Sequence, residues 1–159
     1  MSSSPERVIL GDELMELVRS QLAAGQKVRY LPFRGVSMMP MLRQGKDAVE
    51  IAPLPKKLKK YDLPVYQYPS GKYVMHRIVG VKADHYICLG DNTYEYEKVA
   101  QEQMIGIVSA FQRGDRRISV DAPMYRFYCR VWWGLFPLRK FLKRIKRWLR
   151  RHLKCKNHP

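Results

Sequence analysis

Short runs of alternating apolar and polar residues, separated by turns, fill the middle of this chain and restrict it to a mainly β fold. They recur between residues 27 and 121, where glycine and proline punctuate them. Many short strands in succession pair most simply as antiparallel neighbours. We expect strands over residues 47–52, 61–68, 72–82, 86–89, 104–112 and 118–121, with an extended approach over residues 27–33.

Three segments set further details of this β body. Pro64 has no N–H for a sheet ladder, so the strand at 61–68 is expected to lie at an edge or to carry a bulge. Residues 53–60 contain two prolines and four lysines, which predict an exposed linker. Residues 113–116, with the sequence Arg-Gly-Asp-Arg, predict a hairpin turn.

One amphipathic helix is expected before the strands, over residues 12–24. Acidic residues occupy its first turn and Gly25 follows its end, which are favoured positions at helix termini. The residues expected to face the body recur at helical spacing: Leu14, Leu17, Val18 and Leu22. The expected class is therefore mainly β (α+β), an antiparallel β domain that begins with an amphipathic helix.

The end of the chain differs from the rest because it carries no acidic residue. The net charge is +16 on 159 residues, 12 Lys and Arg lie between Arg126 and Lys156, and no Asp or Glu follows Asp121. The chain therefore divides into a body, residues 1–121, and a basic aromatic tail, residues 122–159. A cationic amphipathic helix of about five turns is predicted in the tail. Its apolar residues recur at three-to-four spacing: Leu138, Phe141, Leu142, Ile145, Trp148, Leu149 and Leu153.

A basic segment of this density predicts an anionic partner. The favoured partner is an anionic membrane surface bound through residues 132–156, with Trp132, Trp133, Phe136, Phe141 and Trp148 in the interface. Nucleic acid is not the expected partner, because no helix-turn-helix is recognisable and the aromatic residues do not interleave with a basic groove. No apolar run approaches the roughly 20 residues of a spanning helix, and residues 1–6 do not resemble a secretory signal. The expected location is the cytoplasm, peripherally on the inner face of the cytoplasmic membrane.

The cysteines give no sign of a metal site or a disulfide framework. Cys88, Cys129 and Cys155 have no metal-ligand spacing, and their number is odd. Cys88 is expected to be a small buried residue in a strand. We therefore expect no metal and no cofactor.

One serine has the surroundings of a nucleophile. Ser37 follows Gly35 by two residues and precedes Pro40 by three. Glycine lets backbone approach a substrate carbonyl closely, and proline stiffens the turn that presents the hydroxyl. A serine attacks only when a base takes its proton and N–H donors receive the oxyanion, so the segment needs partners elsewhere.

Ser37, Met38 and Pro40 resemble the nucleophile segment of the signal peptidase I superfamily, which also contains the self-cleaving repressors of the SOS response. That segment has a serine followed by methionine, any residue and proline. Met41 stands where the family often has a small hydroxyl residue, and Gly35 stands where some relatives carry a serine that assists the oxyanion. The resemblance implies that Gly35, Met38 and Pro40 line the substrate and oxyanion region and that backbone N–H groups stabilise the oxyanion.

A histidine follows in the family's order. His76 precedes Arg77, as the base does in the archaeal and endoplasmic-reticulum branch, where the bacterial signal peptidases have a lysine. An imidazole is a suitable base because it changes charge near neutral pH, whereas a lysine must be buried to lose its proton. The resemblance implies that His76 is the general base. Arg77 is expected to take a structural role, as an ion-pair partner inside the β body.

An acidic third member is expected beyond the histidine. Gly90, Asp91 and Asn92 resemble the Gly-Asp-Asn element of the superfamily, and Asp91 stands 15 residues after the histidine. An imidazolium formed during catalysis needs a carboxylate that orients and stabilises it. Asp91 is preferred narrowly, and Glu95 and Glu97 compete with it because the orienting acid of this branch lies a few residues beyond the turn.

The resemblance covers residues 28–108 and implies a serine endopeptidase of the signal peptidase type that lacks the family's spanning helix before the serine. A peptide or leader peptide is the expected substrate, bound as an added strand beside residues 33–37 or 73–76. Two alternatives stay open: a catalytically inactive relative that acts as a membrane-tethered binding module, and a self-cleaving regulator. The oligomeric state and the choice between cleavage in cis and in trans are also open.

Overall fold

The computed structural model describes residues 10–30 and 35–154. The chain forms two compact units, Met1–Val120 and Asp121–Pro159. Within these units the chain is α+β, with antiparallel sheets and three α-helices among the described residues. This α+β architecture with antiparallel sheets confirms the mainly β (α+β) class expected from the sequence. Residues 31–34, which include Phe33 of the expected substrate edge, and Cys155 lie outside the described residues.

The first helix, α1 (Leu10–Ala23), forms where the periodicity predicts it but presents a different face. Met15, Val18 and Leu22 are buried, whereas Leu17 is 55% exposed, so the expected place of Leu17 on the buried face was wrong. The buried residues are spaced by three and four positions and form one row, from which Leu17 is displaced around the helix. Leu22 packs closely against Gly106: a Cβ on Gly106 would lie 2.8 Å from Leu22 Cδ1.

Nine strands follow in the described part of the first unit. They are β1 (Val28–Tyr30), β2 (Asp47–Ala52), β3 (Pro64–Gln67), β4 (Tyr73–Met75), β5 (Arg77–Val81), β6 (Tyr86–Leu89), β7 (Glu97–Val99), β8 (Met104–Arg113) and β9 (Arg116–Ser119). The larger sheet has the antiparallel order β1-β2-β8-β3-β4, with β9 paired to the far half of β8 beyond β3. The hairpin expected at residues 113–116 joins β8 to β9.

The smaller sheet, β5-β6-β7, is also antiparallel and starts immediately after His76. One long strand was expected over residues 72–82, but the chain leaves the larger sheet after Met75 and enters the smaller one at Arg77. That expectation was wrong, because the alternating pattern continues through the break while the hydrogen-bonding partner changes from β3 to β6. His76 therefore lies at the junction of the two sheets.

Three other details of the β body agree with the sequence expectation only in part or were not expected. β3 lies between β8 and β4, so Pro64 is not on an edge; it is the first residue of its strand, and the register shifts between Val65 and Tyr66, which is the bulge alternative. The segment 53–60 has no regular structure, yet Leu58 is 1% exposed and belongs to the core. The lysines beside it remain exposed. The short strand β7 was not predicted.

The second unit contains two helices, α2 (Pro123–Gly134) and α3 (Phe136–Lys154). The cationic helix expected in the tail is present as α3. α2 was not predicted, although Pro123 at its first position is a favourable start. Across residues 10–30 and 35–154, no helix combines the length and the apolar character needed to cross a membrane.

Candidate active site

The serine segment is a turn fixed by buried methionines and a leucine. Met38, Met41 and Leu42 are 4% exposed or less, whereas Ser37 is half-buried at the surface of the turn. Gly35 has φ +108°, a conformation that favours glycine, and its N–H donates to Gln44 Oε1 at 2.9 Å. The turn is thus held from below by packing while the serine is left accessible.

The Gly-Asp-Asn element holds this serine turn directly. The Asn92 backbone N–H donates to the Ser37 carbonyl at 2.7 Å, and Asn92 Nδ2 donates to the Val36 carbonyl at 3.2 Å. Two segments separated by more than fifty residues are therefore joined by two hydrogen bonds on consecutive carbonyls. Asn92 contributes to the site by positioning the backbone around Ser37.

Gly90 marks the point where all three segments meet. A Cβ at Gly90 would lie 2.8 Å from the Ser37 carbonyl oxygen, 2.9 Å from Thr93 Oγ1 and 3.1 Å from His76 Nε2. The Ser37 carbonyl oxygen and His76 Nε2 are both close to this one Cβ position, so these two atoms lie within about 6 Å of each other. No other residue type fits at position 90 without displacing this arrangement.

The imidazole is buried and has distinct partners on its two edges. His76 is 7% exposed, and its Nδ1 lies 3.0 Å and 3.1 Å from the two carboxylate oxygens of Glu97. An ionised carboxylate only accepts hydrogen bonds, so Nδ1 carries the proton in this contact. In the neutral ring, Nε2 then keeps its lone pair, and that edge is the one directed at Gly90 and the serine turn.

Glu97 is kept ionised by a set of hydrogen-bond donors. Burial raises the pKa of Glu97, but hydrogen bonds from His76, Tyr66 and Tyr68 outweigh it, and the net pKa lies below the ordinary value. Tyr66, which is 0% exposed, donates a hydrogen bond from its hydroxyl to Glu97 Oε2. Burial and then the hydrogen bond to Glu97 raise the pKa of Tyr66, so its hydroxyl stays protonated as a donor.

Asp91 has a different partner from the one the sequence favoured. Its carboxylate forms a two-pronged ion pair with Arg77, at 2.8 Å from Nε and 2.8 Å from Nη2, and both side chains are 0% exposed. The position beside the imidazole belongs to Glu97, so the narrow preference for Asp91 over Glu97 is corrected by these contacts. Glu95 is exposed.

The strand registers explain this division between the carboxylates. Arg77 pairs with Leu89 in the β5–β6 ladder, so Asp91, two residues past Leu89, lies close to the start of β5 and within reach of the arginine side chain. Glu97 pairs with Cys88 in the β6–β7 ladder, which brings it to the sheet junction where the histidine lies. Because β7 is only three residues long, its sequence gave no periodicity from which this register could be read.

Arg77 has the structural role expected for it. Its guanidinium donates to the Tyr61 carbonyl at 3.2 Å and contacts Met41 Sδ at 3.1 Å, in addition to its bonds with Asp91. The group therefore joins the end of the serine turn, the start of β5 and the Gly-Asp-Asn element in the interior. This joint fixes the relative positions of the three segments beneath the site.

Tyr66 was missed as a site residue by the sequence reading. The available signal was the pair Tyr66 and Tyr68, two positions apart, which directs both rings to one face of an extended segment. Tyr66 donates to Glu97, and Tyr68 also lowers the pKa of that carboxyl. A pair of tyrosines in a strand is common, so the pair alone does not predict a functional site. It becomes informative only when Glu97 is known to lie beside it.

Other nucleophiles and metal ligands are not brought together in the described part of the molecule. Burial, and then the nearby Glu97 charge, raise the pKa of the Cys88 thiol to about 12, so it is a neutral buried side chain in β6, as expected. Among the residues whose side chains are described, no group of three or more His, Cys, Asp or Glu is arranged to hold a metal ion.

Comparison with protein-family models, with curated proteins and with solved structures gave no match for this chain. The chemistry of the site is therefore inferred from the positions of Ser37, His76 and Glu97 and from the resemblance of the three short segments.

Proposed function

We propose that this protein is a serine peptidase of the signal peptidase type, with Ser37 as the nucleophile, His76 as the general base and Glu97 as the acid that orients the base. The proposal rests on one observation above all: the imidazole has its Nδ1 edge against a carboxylate and its Nε2 edge toward the serine turn. This is the order of groups that activates a serine in unrelated peptidases.

The proposed reaction uses these groups in sequence. His76 Nε2 accepts the proton of the Ser37 hydroxyl as the oxygen attacks the scissile carbonyl, and Glu97 stabilises the imidazolium that forms. The imidazolium gives its proton to the leaving amine when the C–N bond breaks, and an acyl-enzyme remains on Ser37. A water molecule then loses a proton to His76, attacks the ester and releases the second product.

Oxyanion stabilisation is assigned to the backbone of the serine turn. Gly35 supplies no side-chain donor, and the N–H of Met39 is already bonded to the Val36 carbonyl at 3.2 Å. The N–H groups of Ser37 and Met38 are therefore the candidate donors. Loss of one side-chain donor from the oxyanion hole of a serine peptidase of another fold costs about 3 kcal/mol of transition-state stabilisation, and we expect a backbone donor to contribute a similar amount.

The substrate class that fits is a peptide in an extended conformation. β4 is the terminal strand of the larger sheet in its described order, and its chain continues from Met75 directly into His76. A peptide added along β4 would be led to the base by main-chain hydrogen bonds, with alternate side chains available for selection. A peptide or leader peptide is accordingly the proposed partner. The other candidate edge is residues 33–37, and residues 33 and 34 lie outside the described part of the chain.

Labelling with a fluorophosphonate tests the proposal. The probe reacts with an activated serine, so we expect labelling of the full chain that disappears in Ser37→Ala. Ser20→Ala is the matched control, since Ser20 is an exposed serine on α1, outside the three segments of the site, and labelling should be unchanged. If the wild-type chain takes up no probe while a peptide still binds, the protein is a non-catalytic binding module instead.

A further inference from the structure

One apolar stripe continues through both helices of the second unit. Eight of its side chains follow one another at intervals of three or four residues across the helix junction: Met124, Phe127, Val131, Leu135, Leu138, Leu142, Ile145 and Leu149. All eight are exposed, from 38% at Ile145 to 78% at Met124. The sequence had indicated only the part of this stripe that lies in α3.

The junction between the helices keeps the stripe in one row. The Leu135 N–H donates to the Val131 carbonyl and the Arg139 N–H to the Leu135 carbonyl, each at 2.9 Å, so helical hydrogen bonding continues past Gly134. Arg139 also donates to the Trp132 carbonyl at 3.1 Å, and its guanidinium lies 3.8 Å from the centre of the Trp132 ring. These contacts tie the start of α3 to the end of α2.

The stripe in α2 is separate from the buried side of that helix. Tyr125 and Cys129 are 7% and 2% exposed, whereas Phe127 and Val131, on another side of the helix, are 61% and 42% exposed. In α3, every residue from 141 to 149 is exposed. A short helix gains most of its stability from packing its apolar side, and here that side has open space before it.

The charge of the unit is segregated from the stripe. α3 carries nine Lys and Arg and no Asp or Glu, and Lys140, Lys143 and Arg147 lie at helical positions opposite the apolar row. Phe141 and Trp148 lie at one border between the two sides, a position that suits aromatic rings at a lipid–water boundary.

We propose that α2 and α3 together form one docking surface for an anionic lipid bilayer. The helices lie along the membrane, with the eight-residue stripe in the interface and the basic side toward the headgroups and water. Uninterrupted positive charge matches an anionic surface, and a long, unpartnered apolar row matches a bilayer better than a nucleic acid backbone, which offers nothing apolar to cover it. This inference is independent of the proposed peptidase activity.

Vesicle binding by the full-length chain tests the surface. We compare phosphatidylcholine vesicles with vesicles that also contain phosphatidylglycerol, and expect sedimentation mainly with the latter. Each Lys or Arg near an anionic surface contributes about a fivefold factor in affinity, so Lys143→Gln with Arg147→Gln should weaken binding by more than tenfold. Lys56→Gln with Lys57→Gln removes the same charge from two exposed lysines of the first unit and should leave binding close to wild type.

A second pair of variants tests whether α2 belongs to the surface. Phe127→Ser with Val131→Ser should weaken binding by more than tenfold, while Leu17→Ser, at an exposed leucine of α1, should have no effect. All substituted side chains are exposed, and the melting temperature of each variant checks that the fold is kept. The proposal would be overturned if the wild-type chain did not bind anionic vesicles, or if the α2 variants bound them as tightly as the wild type does. So would tighter binding to an oligonucleotide, or self-association that buries the stripe.

Discussion

At the scale of single residues, two carboxylates beside the same pair of strands have separate tasks. Glu97 contacts the imidazole of His76, whereas Asp91 neutralises the buried guanidinium of Arg77. From the sequence, the three ordered segments identified Ser37 and His76, but the choice among the acids depended on strand register, which short segments do not reveal.

Replacing each carboxylate by its amide should therefore affect different properties: mainly the labelling rate for Glu97 and mainly the stability for Asp91. Glu97→Gln should lower the rate of fluorophosphonate labelling by about 10³- to 10⁴-fold, since the ring loses its orienting charge, and should lower stability less than Asp91→Asn does. Asp91→Asn should lower the free energy of unfolding by about 3–5 kcal/mol, because it leaves Arg77 charged and buried. Urea unfolding and labelling rates measure the two effects. Normal stability with lost labelling in Asp91→Asn would return the orienting role to Asp91.

Tyr66 is expected to act as a positioning residue through Glu97. Tyr66→Phe removes a donor that holds the carboxylate beside the ring, so labelling at neutral pH should fall by about tenfold. The pKa of Glu97 should also rise toward its ordinary value. The loss should deepen at acid pH, where more of Glu97 becomes protonated. Tyr86→Phe, at a partly buried tyrosine that packs against the same core, is the matched control and should keep the wild-type pH profile.

At the scale of elements, the sequence predicted strands well where alternation continued against one partner. β2 and β6 were predicted with the observed bounds, and β8 with one residue fewer than its observed length. The prediction failed at His76, because alternation does not show that a chain changes sheets. It also failed at α2. Pro137 suggested that a helix starts there, so the part of the apolar stripe that precedes Pro137 was not recognised.

Glu50 on β2 links the strands around it and should make the larger sheet sensitive to acid. Hydrogen bonds from Arg117 on β9 and then Ser109 on β8 hold the pKa of Glu50 at about 2, below its ordinary value of 4.5. A carboxylate with a depressed folded-state pKa contributes stability above its unfolded pKa and loses it as pH falls.

The expected result is a fall in the free energy of unfolding between pH 4.5 and about pH 2 that is smaller in Glu50→Gln. Glu102→Gln, at an exposed glutamate outside this cluster, should keep the wild-type slope. Urea unfolding at a series of pH values measures both slopes. Parallel curves for wild type and Glu50→Gln would show that Glu50 contributes nothing to acid sensitivity.

At the scale of the whole molecule, the first unit brings together segments that are far apart in sequence. Their order along the chain could be read from the residues, but their proximity depends on the junction of two sheets, on the Arg77–Asp91 pair and on Asn92 beside Ser37. These long-range contacts leave no local pattern. The helix α3 of the second unit was easier to predict, because helical spacing and charge are local properties.

Gly90 is the most sensitive position in this arrangement. Gly90→Ala would place a methyl group within 3.1 Å of the Ser37 carbonyl, Thr93 and the imidazole, so we expect labelling to fall by more than tenfold. Gly134→Ala adds the same methyl group where no atom lies within 4 Å, and labelling should be unchanged. Equal labelling of both variants would mean that the three segments do not meet at Gly90.

The central claim is that Ser37 is activated by His76. It is tested most directly by mass mapping of the fluorophosphonate adduct, combined with the labelling rate of His76→Ala. We expect one adduct, on Ser37, and a rate at least about 10³-fold lower in the variant. An adduct on another residue, or a Ser37 adduct that forms equally fast without the imidazole, would contradict it.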